Sequence, residues 1–186
     1  EVVIMDYALG MVEFKNIAMG ITVTDLMVKA ANVSIVKSLI TCPGKYMVII
    51  RGKLSAVNAA IDKSKEYEEL VSDYFILGNP HESIFNAFDG KYEINKDEAM
   101  GIIETSNVPC LIEAADMIAK TARCYILKIK MARELGGKAL VLFAGEVAAV
   151  EASSKAAIRY VTEKDKLISH SIIANPDPMI WDAIIK

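Results

Sequence analysis

Residues 8–13 of this 186-residue chain read ALGMVE, and residues 99–104 read AMGIIE. A second block recurs in the same way, because DLMVKAA at residues 25–31 returns as DMIAKTA at residues 116–122. Both blocks are displaced by 91 positions, since 99 − 8 = 91 and 116 − 25 = 91. A constant displacement of two separate motifs indicates that one domain occurs twice in the chain.

The repeat continues beyond these blocks with a small change of spacing. The Gly-Lys pair at residues 44–45 returns at residues 137–138, a displacement of 137 − 44 = 93, which places a two-residue length change in the loop before this pair. We therefore predict a first domain over residues 5–88, a polar linker over residues 89–97 and a second domain over residues 98–186.

The composition limits the classes of function that the chain can have. Hydrophobic residues make up 53% of the sequence, and the mean hydropathy of +0.32 is high for a water-soluble protein of this size. No run is long enough for a membrane-spanning helix, so the apolar excess favours contacts between subunits. The net charge of −3 and the lack of a basic block argue against nucleic-acid binding. We expect no membrane partner, and without a visible secretory signal we expect a cytoplasmic location.

The candidate catalytic and metal-binding residues are few. An odd count of three cysteines (Cys42, Cys110 and Cys124) without a signal peptide argues against a disulfide framework. Cys110 follows a proline at a helix start and Cys124 precedes a strand, so both are interpreted as small packing residues. Glu13 and Glu104 recur, one in each copy, and are interpreted as structural hydrogen-bonding groups. No CxxC, HExxH or GxGxxG motif is present, and the sequence predicts a protein that is not an enzyme.

The pattern of apolar residues predicts the same order of elements in each copy: strand, helix, strand, strand, helix, strand and short helix. In the first copy, helices are expected over residues 22–31 and 54–70, and a Thr-Cys-Pro-Gly turn over residues 41–44 joins two strands. In the second copy, residues 125–131 alternate between apolar residues and lysines, which predicts a strand with one face in solvent. The expected fold is α/β, with two α+β sandwiches in tandem, each a four-stranded sheet with helices packed on it.

The repeated blocks resemble the shell-protein domain of bacterial microcompartments. That family carries a pattern close to A-D-x-M-x-K-A-A, which residues 115–120 match as ADMIAK, and a later G-D-V-x-A-V, which residues 145–150 match as GEVAAV. The resemblance covers nearly the whole chain from Met5 onward, twice. It implies a homotrimer of tandem-domain chains, whose six domains form a flat tile with a central pore. Such a tile would lie in the shell of a bacterial microcompartment and contact other shell proteins at its edges.

One segment is similar to a smaller group within this family. Residues 40–45, ITCPGK, resemble the pore segment of the iron–sulfur-binding trimeric proteins of propanediol-utilisation shells. The resemblance implies that Cys42 from each of three chains binds one [4Fe–4S] cluster on the threefold axis, for electron transfer across the shell. It also extends the expected partners to enclosed redox enzymes. Thiolates are the usual ligands of such clusters, and the matching loop at residues 133–138 has no cysteine.

The same resemblance implies the residues that surround the pore. The implied pore-lining residues are Thr41, Pro43, Gly44, Gly136 and Gly137. Pro43 fixes one backbone angle of the turn, and Gly44 allows the backbone to come close to its symmetry mates.

Two lysines recur in the DxxxK part of the repeat. Lys29 and Lys120 each follow an aspartate by four residues, Asp25 and Asp116 respectively. One interpretation is an exposed ion pair on a helix, which contributes a few tenths of a kcal/mol. The family resemblance instead implies that these lysines lie at the tile edge, and their recurrence in both copies favours that role.

Two other functions stay open at this point. The first is a metal-free tile whose pore passes small polar metabolites. The second is a soluble enzyme or regulatory protein built on a duplicated ferredoxin-like unit, which would need a pocket with convergent polar groups.

Overall fold

The chain forms two compact units, Glu1–Pro80 (unit 1) and His81–Lys186 (unit 2). The structure is a computed structural model, and it describes residues 7–89, 95–96, 98–131 and 135–184. In that part of the chain, no helix is both long and apolar enough to span a membrane.

Unit 1 is a four-stranded antiparallel sheet with two helices on one face. Its elements, in chain order, are β1 (Tyr7–Phe14), α1 (Ile17–Ala30), β2 (Val33–Thr41), β3 (Lys45–Lys53), α2 (Leu54–Lys65), a 3₁₀ turn (Glu68–Leu70) and β4 (Val71–Gly78). The strand order is β2-β3-β1-β4, so β2 and β4 are the sheet edges. The core lies between the sheet and the helices, where Val12, Met27 and Ile61 are fully buried.

Unit 2 repeats this arrangement and carries two further helices. Its elements are α3 (Glu82–Asp89), β5 (Ala99–Thr105), α4 (Val108–Thr121), β6 (Cys124–Met131), β7 (Ala139–Gly145), α5 (Val147–Glu163), β8 (Leu167–Ile173) and α6 (Pro178–Ile184). The strand order β6-β7-β5-β8 is the same as in unit 1. The predicted fold class is confirmed.

The glycine of the repeated first block allows β1 to pack closely against its helix. A Cβ atom at Gly10 would lie 2.7 Å from Cγ1 of Val57 on α2, and a Cβ at Gly101 would collide with the ring of Phe143. Any side chain at these positions would push neighbouring core groups aside. Both positions therefore lack room for a side chain, because of a helix residue in unit 1 and of a residue on the neighbouring strand β7 in unit 2.

Helix α3 belongs to the first copy by sequence but to unit 2 by its contacts, since it packs against β6 and α4. Strand β6 follows the predicted alternation, with Met131 buried on the apolar side and Lys130 exposed on the other. Ile126, Leu127 and Ile129 are all buried, and Lys128 donates from Nζ to the carbonyl of Ile184 at 3.0 Å. Burial lowers the pKa of Lys128.

Two helix boundaries differ from the sequence prediction. Helix α1 begins at Ile17, before the predicted start at residue 22, because Asn16 caps it by accepting a hydrogen bond from the backbone N–H of Met19 at 3.2 Å. Helix α2 ends at Lys65 and is followed by the 3₁₀ turn, so the predicted helix over 54–70 was too long. The linker prediction over 89–97 falls mostly outside the described residues.

Candidate functional site

The β2–β3 turn presents Cys42 at the surface of unit 1. Strand β2 ends at Thr41 and β3 begins at Lys45, so Cys42, Pro43 and Gly44 form the turn, and all three are exposed. Gly44 has a φ of 74°, in the left-handed region that glycine adopts without strain. The turn therefore holds the Cys42 thiol outside the core, where another molecule can reach it.

A carboxylate network fixes the strands at the base of this turn. Oε2 of Glu13 accepts hydrogen bonds from Nζ of Lys45 at 2.7 Å and from Oγ of Ser72 at 2.6 Å. Thr41 donates from its hydroxyl to Oε1 of Glu13 at 3.5 Å. Thr41 is buried in the single chain, and its pore-lining role stays a prediction.

The matching turn of unit 2 is built from glycines. Gly136 and Gly137 both have positive φ, 63° and 91°. The Glu13–Lys45 pair recurs here as Glu104 and Lys138, but their charged atoms are 3.6 Å apart and more exposed. The pore-lining roles of Pro43, Gly44 and this glycine pair stay predictions, and residues 132–134 of the same loop lie outside the described residues.

The three cysteines have different environments. Cys42 is exposed, whereas Cys110 and Cys124 are buried, as expected for packing residues. Burial raises the pKa of both buried thiols, which favours their protonated form. Within one copy of the described chain, no three His, Cys, Asp or Glu side chains are grouped so that they could hold a metal ion. The role of Cys42 as a cluster ligand stays a prediction.

The two predicted edge lysines form the expected pairs four residues apart. Lys29 contacts Asp25 at 2.6 Å on the exposed side of α1, and Lys120 contacts Asp116 at 2.6 Å on α4. The second pair is less exposed, and Asp116 also accepts a hydrogen bond from the backbone N–H of His81 at 2.7 Å. Their role at a tile edge stays a prediction.

Sequence reasoning missed two clefts at equivalent places in the units. The cleft of unit 1, of about 410 Å³, is lined by Arg51 and Lys53, and that of unit 2, of about 490 Å³, by Glu98, Arg123 and Glu146. The sequence signal was present, because Lys53 and Glu146 occupy equivalent positions in the repeat. Burial raises the pKa of Glu98, and the nearby Glu146 carboxylate adds to this shift.

The duplicated sheet-and-helix unit matches one family model twice. The model for the BMC domain matches residues 8–80 and again residues 99–176. The chain belongs to the BMC-domain family of bacterial microcompartment shell proteins. Its tandem architecture and the resemblance stated from the repeated motifs are thereby confirmed.

Relatives by sequence agree with this assignment over the whole chain. The bacterial microcompartment shell protein PduT of Citrobacter freundii is 32% identical over 183 residues, which are 98% of this chain and 100% of that protein. The carboxysome shell protein CsoS1A of Hydrogenovibrio crunogenus is 35% identical over 81 residues, which are 41% of this chain and 84% of that protein. The second match has about the length of one copy of the repeat.

Solved structures agree as well. A microcompartment protein from Desulfitobacterium hafniense DCB has a TM-score of 0.90 at 34% identity, covering 95% of this chain and 99% of that chain. A fused, permuted hexameric shell protein from the RMM microcompartment has a TM-score of 0.61 at 17% identity, covering 86% and 85%, and shows likeness of fold alone.

Membership in this family establishes the general function. The chain is a microcompartment shell protein with tandem BMC domains, and it localises to the shell. Shell proteins of this family assemble with other shell proteins and are structural, so the prediction that the chain is not an enzyme is confirmed. The alternative of a soluble enzyme on a duplicated unit is wrong.

Proposed function

We propose that three copies of this shell protein form a ring and hold one [4Fe–4S] cluster, with Cys42 of each copy as a ligand. The cluster would lie in the central pore of the tile and carry electrons across the shell. The observation that supports this most directly is the exposed Cys42 at the apex of a turn, in a chain whose two other cysteines are buried.

The number of thiols supports a cluster shared by three chains. One cysteine in one chain cannot hold a cubane cluster, so ligands have to come from several copies around an axis. The equivalent loop of the second copy has no cysteine in its sequence, so a ring of three chains offers three thiolates and not six. Three ligands leave one iron open to water or to a small ligand.

The residues around Cys42 have defined tasks in this proposal. Pro43 and the left-handed Gly44 set the shape of the turn, and the Glu13–Lys45 pair fixes the strand ends below it. Exposed backbone N–H groups of the turn could donate hydrogen bonds towards the bound group and tune its potential. When it is bound, such a cluster supplies one-electron transfer.

The decisive experiment compares iron and colour in matched cysteine variants purified without oxygen. We expect about 1.3 iron atoms per chain, four shared among three, and a broad absorbance near ~400 nm that is typical of such clusters. The Cys42→Ser variant should lose both the iron and the absorbance, and it should keep the molecular mass that the parent has in solution. Cys110→Ala and Cys124→Ala, which remove buried thiols, should keep both.

Two results would overturn the cluster. The first is a Cys42→Ser protein that keeps its iron and colour. The second is an anaerobic parent that contains no iron or sulfide, and this result would favour the metal-free tile that passes small polar metabolites.

A further inference from the structure

The clefts of the two units lie at equivalent places in the repeat but differ in charge. Lys53 lines the cleft of unit 1 and its repeat equivalent Glu146 lines the cleft of unit 2, since 146 − 53 = 93. Where the first cleft has Tyr7, the second has Glu98, since 98 − 7 = 91. The charge is therefore reversed at one position, and at another the second unit has a carboxylate where the first has none.

The remaining charged residues of the clefts complete this contrast. The cleft of unit 1 is also lined by Arg51, whose guanidinium lies 5.6 Å from the centre of the Tyr7 ring. The cleft of unit 2 is also lined by Arg123. Among the described lining residues, two cations and no acid give unit 1 a formal charge of +2, whereas one cation and two carboxylates give unit 2 a charge of −1.

The two groups of opposite charge are available to another molecule. Lys53 and Glu146 are both exposed, and within the described chain neither forms an ion pair. Lys53 precedes α2 and makes no capping hydrogen bond with its side chain. Because the N-terminal end of a helix carries partial positive charge, a carboxylate that arrives at Lys53 is attracted both by the lysine and by the helix.

The carboxylates of the second cleft in turn favour an arriving cation. Burial raises the pKa of Glu98, and the negative charge of Glu146 raises it further. Arg123 lines the same cleft but forms no ion pair with either carboxylate in the described chain. A lysine from another molecule would therefore supply a positive charge that this cleft lacks close to its acids.

Each cleft lies at the end of its β-sheet that is remote from the β2–β3 turn or its equivalent. Strand β3 runs from Lys45, beside the Cys42 turn, to Lys53, a length of about 26 Å for nine residues. Strand β7 likewise starts after Lys138 and ends before Glu146. If the Cys42 turns point to the axis of the proposed ring, the clefts lie at the rim of the tile.

The symmetry of such a tile determines which clefts can meet. In a ring of three chains the two units alternate around six sides, so opposite sides belong to different units. When neighbouring tiles are related by translation alone, each side meets the opposite side of the next tile, and unit 1 meets unit 2 at every border. When a twofold axis relates the neighbours, each unit meets its own kind. The first arrangement pairs unlike charges, and the second pairs like charges.

We propose that the unit 1 cleft of one copy docks against the unit 2 cleft of a second copy in the neighbouring tile, with Lys53 paired to Glu146. This contact rests on the proposed ring of three and selects a single orientation for all tiles of a layer. One exposed ion pair contributes little by itself. Six borders around each tile act together, so that their sum decides the orientation.

The test uses charge reversals in the full chain. The parent should form layers that sediment and are visible by electron microscopy at about 0.1 M salt. The layers should disperse at about 1 M salt, because the screening length falls from about 10 Å to about 3 Å. Lys53→Glu and Glu146→Lys should each abolish layers and leave rings with the mass of three chains by light scattering, since neither variant retains complementary clefts.

Restoring the complementarity should restore the layers. The chain that carries both reversals should form them again, with the charges of the two clefts exchanged. An equal mixture of the two single variants should also form them, because every side of one tile then attracts every side of the other. The matched controls are Lys155→Glu in the middle of α5 and Glu68→Lys before β4, both exposed and outside the clefts. These make the same changes in net charge and should form layers as the parent does.

Four results would overturn this contact: a parent that forms no layers, a single reversal that leaves them intact, a double reversal that does not restore them, or a control that loses them. Where a reversal variant loses its cooperative thermal unfolding, Lys53→Gln and Glu146→Gln replace it and should raise the protein concentration at which layers form. The proposed function fails in a different measurement. A parent without the mass of three chains at about 1 M salt refutes the ring, and iron-free protein that forms the expected layers refutes the cluster alone.

Discussion

The carboxylate of Glu13 on β1 and the ammonium of Lys45 at the start of β3 lie 2.7 Å apart at the base of the turn that carries Cys42. Both side chains are mostly shielded from solvent, and Ser72 on β4 donates to the same carboxylate oxygen. One acidic group thereby connects three strands below an exposed three-residue turn. In unit 2 the equivalent pair is longer and more exposed, so the cysteine-bearing turn is the better braced of the two.

Glu13→Gln should therefore cost more stability than the same change at Glu104. The neutral amide that replaces the carboxylate cannot accept charge-assisted hydrogen bonds from Lys45 and Ser72, and we expect a loss of about 1–2 kcal/mol in the free energy of unfolding. Glu104→Gln breaks a pair of 3.6 Å that is partly in solvent, so its cost should be about 0–1 kcal/mol. Urea denaturation of both variants measures the difference, and equal costs would contradict the bracing role of Glu13.

Thiol reagents should distinguish Cys42 from the other two cysteines. In the iron-free native protein at neutral pH we expect one labelled thiol per chain, because Cys42 is exposed while burial raises the pKa of Cys110 and Cys124. All three should react after denaturation. Mass spectrometry after brief alkylation gives the count, with Cys42→Ser as the unlabelled control. Rapid native labelling of Cys110 would show that the helix start is open to solvent.

The cleft carboxyl of Glu98 should make the stability of the protein depend on pH in a specific direction. Burial raises the pKa of Glu98 in the folded state above the ordinary value of 4.5, and its Oε2 has no hydrogen-bond partner within the described chain. As the pH rises, Glu98 therefore loses its proton at a lower pH in the unfolded state than in the folded state. Once the pH exceeds both pKa values, this carboxylate destabilises the fold.

Glu98→Gln removes this effect. The variant should melt at a higher temperature than the parent at neutral pH, and the difference should shrink as the pH falls below about 4.5. Calorimetric melting temperatures between acid and neutral pH test it, and Glu151→Gln, on the exposed side of α5, serves as the control with no such trend. A difference in melting temperature between the variant and the parent that grows towards acid pH would contradict this prediction.

The packing role of the repeated glycine can be tested with two alanine substitutions on unit 1. Gly10→Ala places a methyl group 2.7 Å from Val57 and should lower the free energy of unfolding by about 1–3 kcal/mol. Gly78→Ala meets no atom within 4 Å and should change it by less than about 1 kcal/mol in either direction. Denaturant titration of both variants gives the values. Comparable losses would mean that backbone freedom, and not packing, explains the glycine.

Much of the fold was visible in the sequence, because the repeated motifs report on local packing. The apolar spacing of α1 and the Pro-Gly signal after Cys42 are short-range features, and they predicted the presence of this helix and the position of the turn. The start of α1 was missed, since Asn16 forms its cap through a single hydrogen bond that the apolar pattern does not record.

The sequence was least informative where one copy acts on the other. The alternation in residues 125–131 is a local pattern, and it does not record that α3, from the end of the first copy, packs on this strand. Likewise, the hydroxyl of Thr41 donates to the carboxylate of Glu13, a residue on another strand that the turn motif does not include. Contacts between distant segments decide both cases, and a single sequence does not encode their distances.

The place of α3 also determines where this chain can be divided. The repeat ends after Phe88, but the compact units separate at Pro80 and His81. A gene split at the repeat boundary would strip β6 of its cover and expose a long apolar edge strand, the kind of surface that drives aggregation. Separately expressed halves, or a circular permutant with new termini, should therefore open the chain at residues 80–81 and carry α3 with the second half.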